Sequence, residues 1–136
     1  MMTAQQTQFT SFWGLRALSA LVLALLCIAA APQIAHAQKV VKIAAGAYHT
    51  LELREDGTVW AWGRNESGQL GDGSNVDRSS PVQVPGLTGV VEIAGGGFHS
   101  LARKQDDTVW AWGRNDVGQL GDGSNVDRSS PVQVPG

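Results

Sequence analysis

Only one cysteine, Cys27, occurs in the chain, so no intramolecular disulfide can brace it in any compartment. No apolar run reaches the roughly 20 residues that a membrane-spanning helix needs. A basic surplus is missing too: the formal net charge is −2. Charges alternate in sign, as in Glu52, Arg54, Glu55, Asp56 and Arg64, the pattern of a solvated face rather than of a phosphate-gripping stripe. Nucleic acid is therefore not an expected partner. There is no Gly-x-Ser-x-Gly, no phosphate-binding loop and no dinucleotide fingerprint, so neither catalysis nor a cofactor is expected. Glycine, by contrast, is abundant, with 17 residues. It lacks the every-third-residue period of collagen and so calls for many tight turns.

The N-terminus reads as an address. Met1 to Gly14 is polar with scattered aromatics, and Arg16 is the only charged side chain before Lys39. The run Ala17 to Ala31 spans about 15 apolar residues, the length of a signal-peptide core. Pro32 ends any helix there, and Ala35-His36-Ala37 is a small-x-small cleavage site. The expectation is a helical signal peptide over residues 1–37, a mature chain from Gln38, and an extracytoplasmic location (periplasmic, cell-surface or secreted). An uncleaved anchor is the alternative. A lipidated Cys27 is another, although Leu26 stands where such signals place a small residue.

The remainder is one unit written twice. Residues 37–86 laid over 87–136 give about 35 identical pairs of 50 without a gap, which defines an internal repeat. Residues 38–86 and 87–136 are the two units. Within each, short β-branched or alternating segments are split by turn signals. Strands are expected over Val40–Ala44, His49–Arg54, Thr58–Trp62 and Val82–Val84. Their copies are Val90–Ala94, His99–Lys104, Thr108–Trp112 and Val132–Val134. Asp56-Gly57 marks a hairpin turn. The second copy has Asp106-Asp107 there, a poorer fit because the second turn position favours glycine. A loop is expected from the last tryptophan of each unit to Pro81 or Pro131, with Ser79-Ser80 and Ser129-Ser130 inside it. No segment of either unit has helical period. Four short strands per unit suit a propeller blade, and faces apolar on both sides must be buried between neighbours.

The two copies carry specific motifs. The segment VVKIAAGAYHTLELREDGTVWAWGRNESGQLGDG, Val40 to Gly73, is matched by VVEIAGGGFHSLARKQDDTVWAWGRNDVGQLGDG, Val90 to Gly123. Gly-x-x-His-Ser/Thr-Leu, Asp-Gly-x-Val-Trp-Ala-Trp-Gly and Asn-x-x-Gly-Gln-Leu-Gly resemble the regulator of chromosome condensation repeat. The resemblance implies an all-β fold of two propeller-type blades, from a family that typically closes about seven into a ring. Two repeats make only part of a ring. Further repeats in a longer chain would complete it, or self-assembly would, although pairs cannot add up to seven.

Several side chains invite a chemical role. Trp60, Trp62, Trp110 and Trp112 are expected as blade-to-blade core, with an aromatic ligand platform as the alternative. His49 and His99, one per repeat, lack the neighbours of a zinc site and are expected to hydrogen-bond turn backbone. Asp72-Gly73-Ser74-Asn75-Val76-Asp77 superficially resembles a calcium loop but lacks its alternating acids and terminal glutamate. Asn65-Glu66-Ser67 fits the glycosylation pattern, which Asn115-Asp116-Val117 does not. Tyr48 and Phe98 lie in glycine-rich turns, where aromatics anchor protein interfaces. Arg64 and Arg114 follow the Trp-Ala-Trp-Gly strands and can add charge-assisted contacts.

The expected function is a non-catalytic, extracytoplasmic protein-interaction module, or part of a larger propeller, contacting a protein partner through Tyr48, Phe98, Arg64 and Arg114. Family analogy offers guanine nucleotide exchange as an alternative, and export offers a secreted carbohydrate binder or enzyme inhibitor.

Overall fold

A computed structural model of the chain describes residues 38–136; the expected signal peptide lies outside them. The described part is all-β, with eight strands in two four-stranded antiparallel sheets. The first sheet contains β1 (Val40–Ala45), β2 (His49–Arg54), β3 (Val59–Gly63) and β4 (Arg78–Gln83). The second contains β5 (Val90–Gly95), β6 (His99–Lys104), β7 (Val109–Gly113) and β8 (Arg128–Gln133). Strand order equals chain order in both. Each repeat is therefore one meander.

The first three strands of each unit fall where β-branched and alternating residues place them. The fourth does not. β4 and β8 begin at Arg78 and Arg128, so Ser79, Ser80 and Pro81, with their copies, belong to strand rather than loop. Proline hides this in the sequence, yet an edge strand tolerates it because one side needs no ladder bonds. A register shift between Ala61 and Gly63, where Ala61 pairs Val82 and Gly63 pairs Arg78, absorbs the extra residues. The hairpin turns differ as their sequences imply. Gly57 takes φ +76°, and Asp107 is forced to φ +64°, the one non-glycine residue with positive φ among those described.

Directly opposed residues share a sheet face. Ile43, Glu52 and Trp60 are opposed in sequence across β1–β2–β3, as are Ala45, Thr50 and Trp62. These form one face of the first blade; Leu51, Leu53, Val59 and Ala61 form the other. That second face packs on the second blade in one cluster of Leu51, Leu53, Val59, Ala61, Leu70, Val84, Leu87, Val90, Ile93, Ala102 and Trp112. Full burial of each large side chain stabilises by about 1.5–3 kcal/mol. The core therefore lies between the sheets.

Position in the stack decides burial. Ile93 is 3% exposed and Ile43, its copy, 69%. Val59 is 0% exposed and Val109 39%. Expectation and structure part here for the tryptophans. Trp112 is fully buried and Trp110 packs against the cluster, whereas Trp60 and Trp62 are half-buried on the open first face. Arg54 partly covers that face, its guanidinium 3.9 Å from the Trp60 ring centre.

Candidate functional site

The blade-to-blade seam has a polar spine. Trp112 Nε1 donates to the Gln69 carbonyl at 2.9 Å, and Ser100 Oγ donates to the same oxygen at 2.8 Å. His49 Nε2 lies 2.9 Å from Ser100 Oγ. Because Ser100 spends its proton on Gln69, His49 must donate through Nε2. That leaves Nδ1 as a buried acceptor without a partner among the described residues. The expected bond from the His49 ring to turn backbone is thus replaced by a bond into the next blade. The turn is closed instead by the His49 carbonyl, which accepts from Gly46 N at 2.8 Å. The serine–histidine pair has no exposed hydroxyl, since Ser100 is wholly buried. It is built as a joint.

Burial, then the nearby His99, pulls His49 below the ordinary histidine value of 6.5. The neutral ring is the folded form, while the unfolded chain binds a proton from about pH 6.5 downward. Stability contributed by His49 is therefore complete above pH 6.5 and is lost as pH falls toward the depressed value. We expect the melting temperature to drop between pH 7.5 and 5.5, and His49→Gln to flatten that drop. An equal slope in both proteins would contradict this assignment.

The loops after β3 and β7 close on themselves. Asn65 is wholly buried; its Nδ2 donates to Asp72 Oδ1 at 3.1 Å, Ser74 O at 3.0 Å and Val76 O at 3.1 Å, while its Oδ1 accepts from Leu70 N at 2.9 Å. The nitrogen of the Asn-Glu-Ser pattern is therefore engaged inside the loop rather than offered for glycosylation. Burial alone would raise the Asp72 carboxyl, but hydrogen bonds from Ser74, Arg78 and Asn65 hold it below its usual value. Arg78 Nε reaches Asp72 Oδ2 at 2.9 Å. The carboxylate that resembled a calcium ligand is occupied by protein donors, and Asn115, Asp122, Ser124 and Arg128 repeat the arrangement.

At the rim of the blades the four residues singled out by sequence come together. Tyr48 and Phe98 stack with ring centres 5.6 Å apart at 35°. The Arg64 guanidinium lies 5.5 Å from the Tyr48 ring and 5.9 Å from Phe98, and Arg114 lies 5.8 Å from Phe98. Local backbone fixes each pair: Arg64 N donates to Tyr48 O at 2.9 Å and Arg114 N to Phe98 O at 2.8 Å. Glycine is required at this point, because Gly63 has φ +110° and a Cβ there would sit 2.4 Å from Tyr48 O. Gly113 repeats the constraint beside Phe98. Glu66 pairs Arg64 at 2.5 Å, and Asp116 pairs Arg114. Tyr48 remains 59% exposed. The outcome is a cation–aromatic ladder spanning both blades. Glu66 and Asp116 were not legible as members, since nothing in their spacing distinguishes them from other surface acids.

Two radially repeated four-stranded meanders, joined face to face, are blades of a β-propeller. The regulator of chromosome condensation (RCC1) repeat profile matches residues 56–103 and 106–136, and a second profile of the same repeat matches 40–69 and 90–119. The chain belongs to the RCC1-repeat family. It is 47% identical over 51 residues to the ultraviolet-B receptor UVR8 of Arabidopsis thaliana, covering 38% of this chain and 12% of that protein. It is 42% identical over 52 residues to the E3 ubiquitin-protein ligase HERC2 of Homo sapiens, covering 38% of this chain and 1% of that one. Among solved structures it is similar to human WBSCR16, with TM-score 0.67 and 28% identity over 73% of this chain and 26% of that one. Prp20p of Saccharomyces cerevisiae, described with its binding to Gsp1p and histones, shares the fold. Its TM-score is 0.69 at 22% identity, over 76% of this chain and 27% of that one. The chain thus spans about a quarter of these solved propellers and less of the curated relatives.

Proposed function

We propose that the two blades form a non-catalytic protein-interaction module, displayed outside the cytoplasm, that contacts its partner through Tyr48, Phe98, Arg64 and Arg114. The observation that carries this reading is the ladder itself. Aromatic rings and arginines are the side chains that most often anchor protein interfaces, and here four of them converge from separate turns of both repeats. An exposed tyrosine face gives apolar area at low entropic cost, and the guanidiniums beside it favour a partner segment rich in carboxylates. Solved relatives bind proteins: yeast RCC1 (Prp20) has been described bound by Kap60. The signal-like residues 1–37 support the location, and the use of Ser100 and His49 in the seam supports a role without catalysis.

The test is to capture cell-envelope partners with the chain as it is processed in its own cell, and then to measure affinity for the captured protein. Intact mass should show a chain starting at Gln38. The double variant Tyr48→Ala, Phe98→Ala should bind the partner at least about thirtyfold more weakly, the scale of a lost hot spot. Arg64→Ala should weaken binding and reduce its dependence on salt. Equal affinity of wild type and the aromatic double variant would remove the ladder from the site.

A further inference from the structure

Tyr48 and Phe98 sit on two turns, residues 46–48 before β2 and residues 96–98 before β6. Two hydrogen bonds tie the first turn to the second blade at the rim. One is between backbones, Ala47 N to Gly97 O, and at 3.4 Å it is long. The other is between side chains: His49, the residue after Tyr48, meets Ser100 Oγ at 2.9 Å. We infer that His49 is an acid-sensitive latch for the rim, holding Tyr48 against Phe98 while its ring is neutral and releasing it when the ring gains a proton. The inference rests on the rim-binding reading above and names the regulation of that site.

Close backbone approaches make the latch tight. Gly63 packs on the backbone of Tyr48 and His49, where a Cβ would come 2.4 Å from Tyr48 O and 2.8 Å from His49 Cα. Tyr48 therefore cannot shift without His49. Gly46 lies under the ring, since a Cβ there would meet His49 Cε1 at 2.1 Å and Gly96 O at 2.6 Å. On the far side Ser100 is held by its place in β6 and by its bond to Gln69 O at 2.8 Å. Gln69 in turn lies against Gly113, whose Cβ would be 3.2 Å from Gln69 Cα and 2.5 Å from Phe98 O. One imidazole thus registers both aromatic turns.

Protonation puts a charge and a second N–H into this joint. His49 is 4% exposed, and its Nδ1 has no hydrogen-bond partner among the described residues, so the added proton meets no acceptor there. A buried charge left unpaired is strongly disfavoured. The acids of the surrounding elements are paired elsewhere: Glu52 with Arg54, Glu66 with Arg64, Asp72 with Arg78, Glu92 with Lys42, and Asp116 with Arg114. After burial itself, the charge of His99 on the adjacent turn also opposes protonation of the ring. Ala47 and Tyr48 are exposed, so the ring reaches water by swinging turn 46–48 outward. Hydration of the imidazolium offsets the broken bond to Ser100. The apolar cluster around Leu51 and the bond from Trp112 to Gln69 O do not involve the ring, so the blades stay joined while the turns part.

The test is nuclear magnetic resonance of the full chain with labelled tyrosine and histidine, titrated from neutral pH to about pH 5. Tyr48 is the only tyrosine, so its ring signals are unambiguous. At neutral pH the ring should show through-space contacts to Phe98. These should vanish at the midpoint of the His49 ring titration, below pH 6.5, while the Asn65 and Asn115 side-chain amides keep their dispersed shifts. That coincidence is read in the wild type and does not depend on any variant folding. His49→Gln keeps a donor for Ser100 but cannot charge, and should retain the contacts throughout. Affinity for a partner captured at the rim should fall about tenfold or more over the same range. Contacts that persist in acid, as they would if a charged Nδ1 turned to Gly96 O, would overturn the inference. So would a midpoint that follows His99, or asparagine amides that collapse together with the contacts. Release that proceeds as described, with a partner whose binding ignores Tyr48→Ala, would count against the interaction reading alone.

Discussion

Trp112→Ala is expected to cost the two-blade unit about 3–5 kcal/mol, whereas Trp62→Ala, at the same position of the other repeat, is expected to cost the monomer about 1 kcal/mol. The two residues sit in identical TVWAWGRN sequences. Only Trp112 is sealed between blades, with its indole nitrogen on Gln69 O at 2.9 Å and its ring against Gly71. Removing it opens a cavity in the seam and leaves the Gln69 carbonyl with one donor fewer. Trp62 faces outward, and much of what it loses on truncation is still wet. Chemical denaturation at concentrations where the chain is monomeric reads both values. Equal losses would mean that the two faces are not distinguished by a neighbour.

The second large effect is symmetric. Asn65→Ala and Asn115→Ala should each destabilise the protein by about 3–4 kcal/mol, because each change strands several buried backbone and carboxylate groups at once. Asn65 holds Leu70 N, Ser74 O, Val76 O and Asp72, and Asn115 holds Leu120 N, Ser124 O, Val126 O and Asp122. Every partner of each asparagine lies within its own loop, although the first loop also carries Gln69 and Gly73, which bond the second blade. Asn65→Asp keeps the acceptor for Leu70 but loses the donor and sets a carboxylate beside Asp72; it should recover none of the loss. Matched melting curves of the two alanine variants would sustain the contrast with the tryptophans. A loss confined to one of them would refute it.

That contrast explains how much was legible in the sequence. Whatever is internal to a repeat could be read from it: three of four strands per blade, the Asp56-Gly57 turn, and the poorer turn at Asp107, which does take positive φ. The rim ladder was legible as four candidates because each follows a glycine-marked turn or strand end, although their mutual approach was not. What depends on neighbours could not be read. Four tryptophans have the same local pattern, and one is fully buried. The His49 ring bonds Ser100, 51 residues away, rather than its own turn. Pro81 disguised an edge strand as a loop, because local propensity speaks against a ladder that only one side of the strand has to form.

The differences between the repeats therefore carry more information than their identities. Identical residues report the blade. Lys42 against Glu92, Glu52 against Ala102 and Leu53 against Arg103 report which face meets what.

Amide hydrogen exchange of the Trp112→Ala protein puts the dependence of one sheet on the other to the most direct test. If the blades stand only by stacking, β1–β3 of the first sheet should lose protection together with β5–β7, although the substitution lies outside it. Full protection retained over Val40–Gly63 while the second sheet exchanges freely would mean that a single blade holds itself up, contrary to this account.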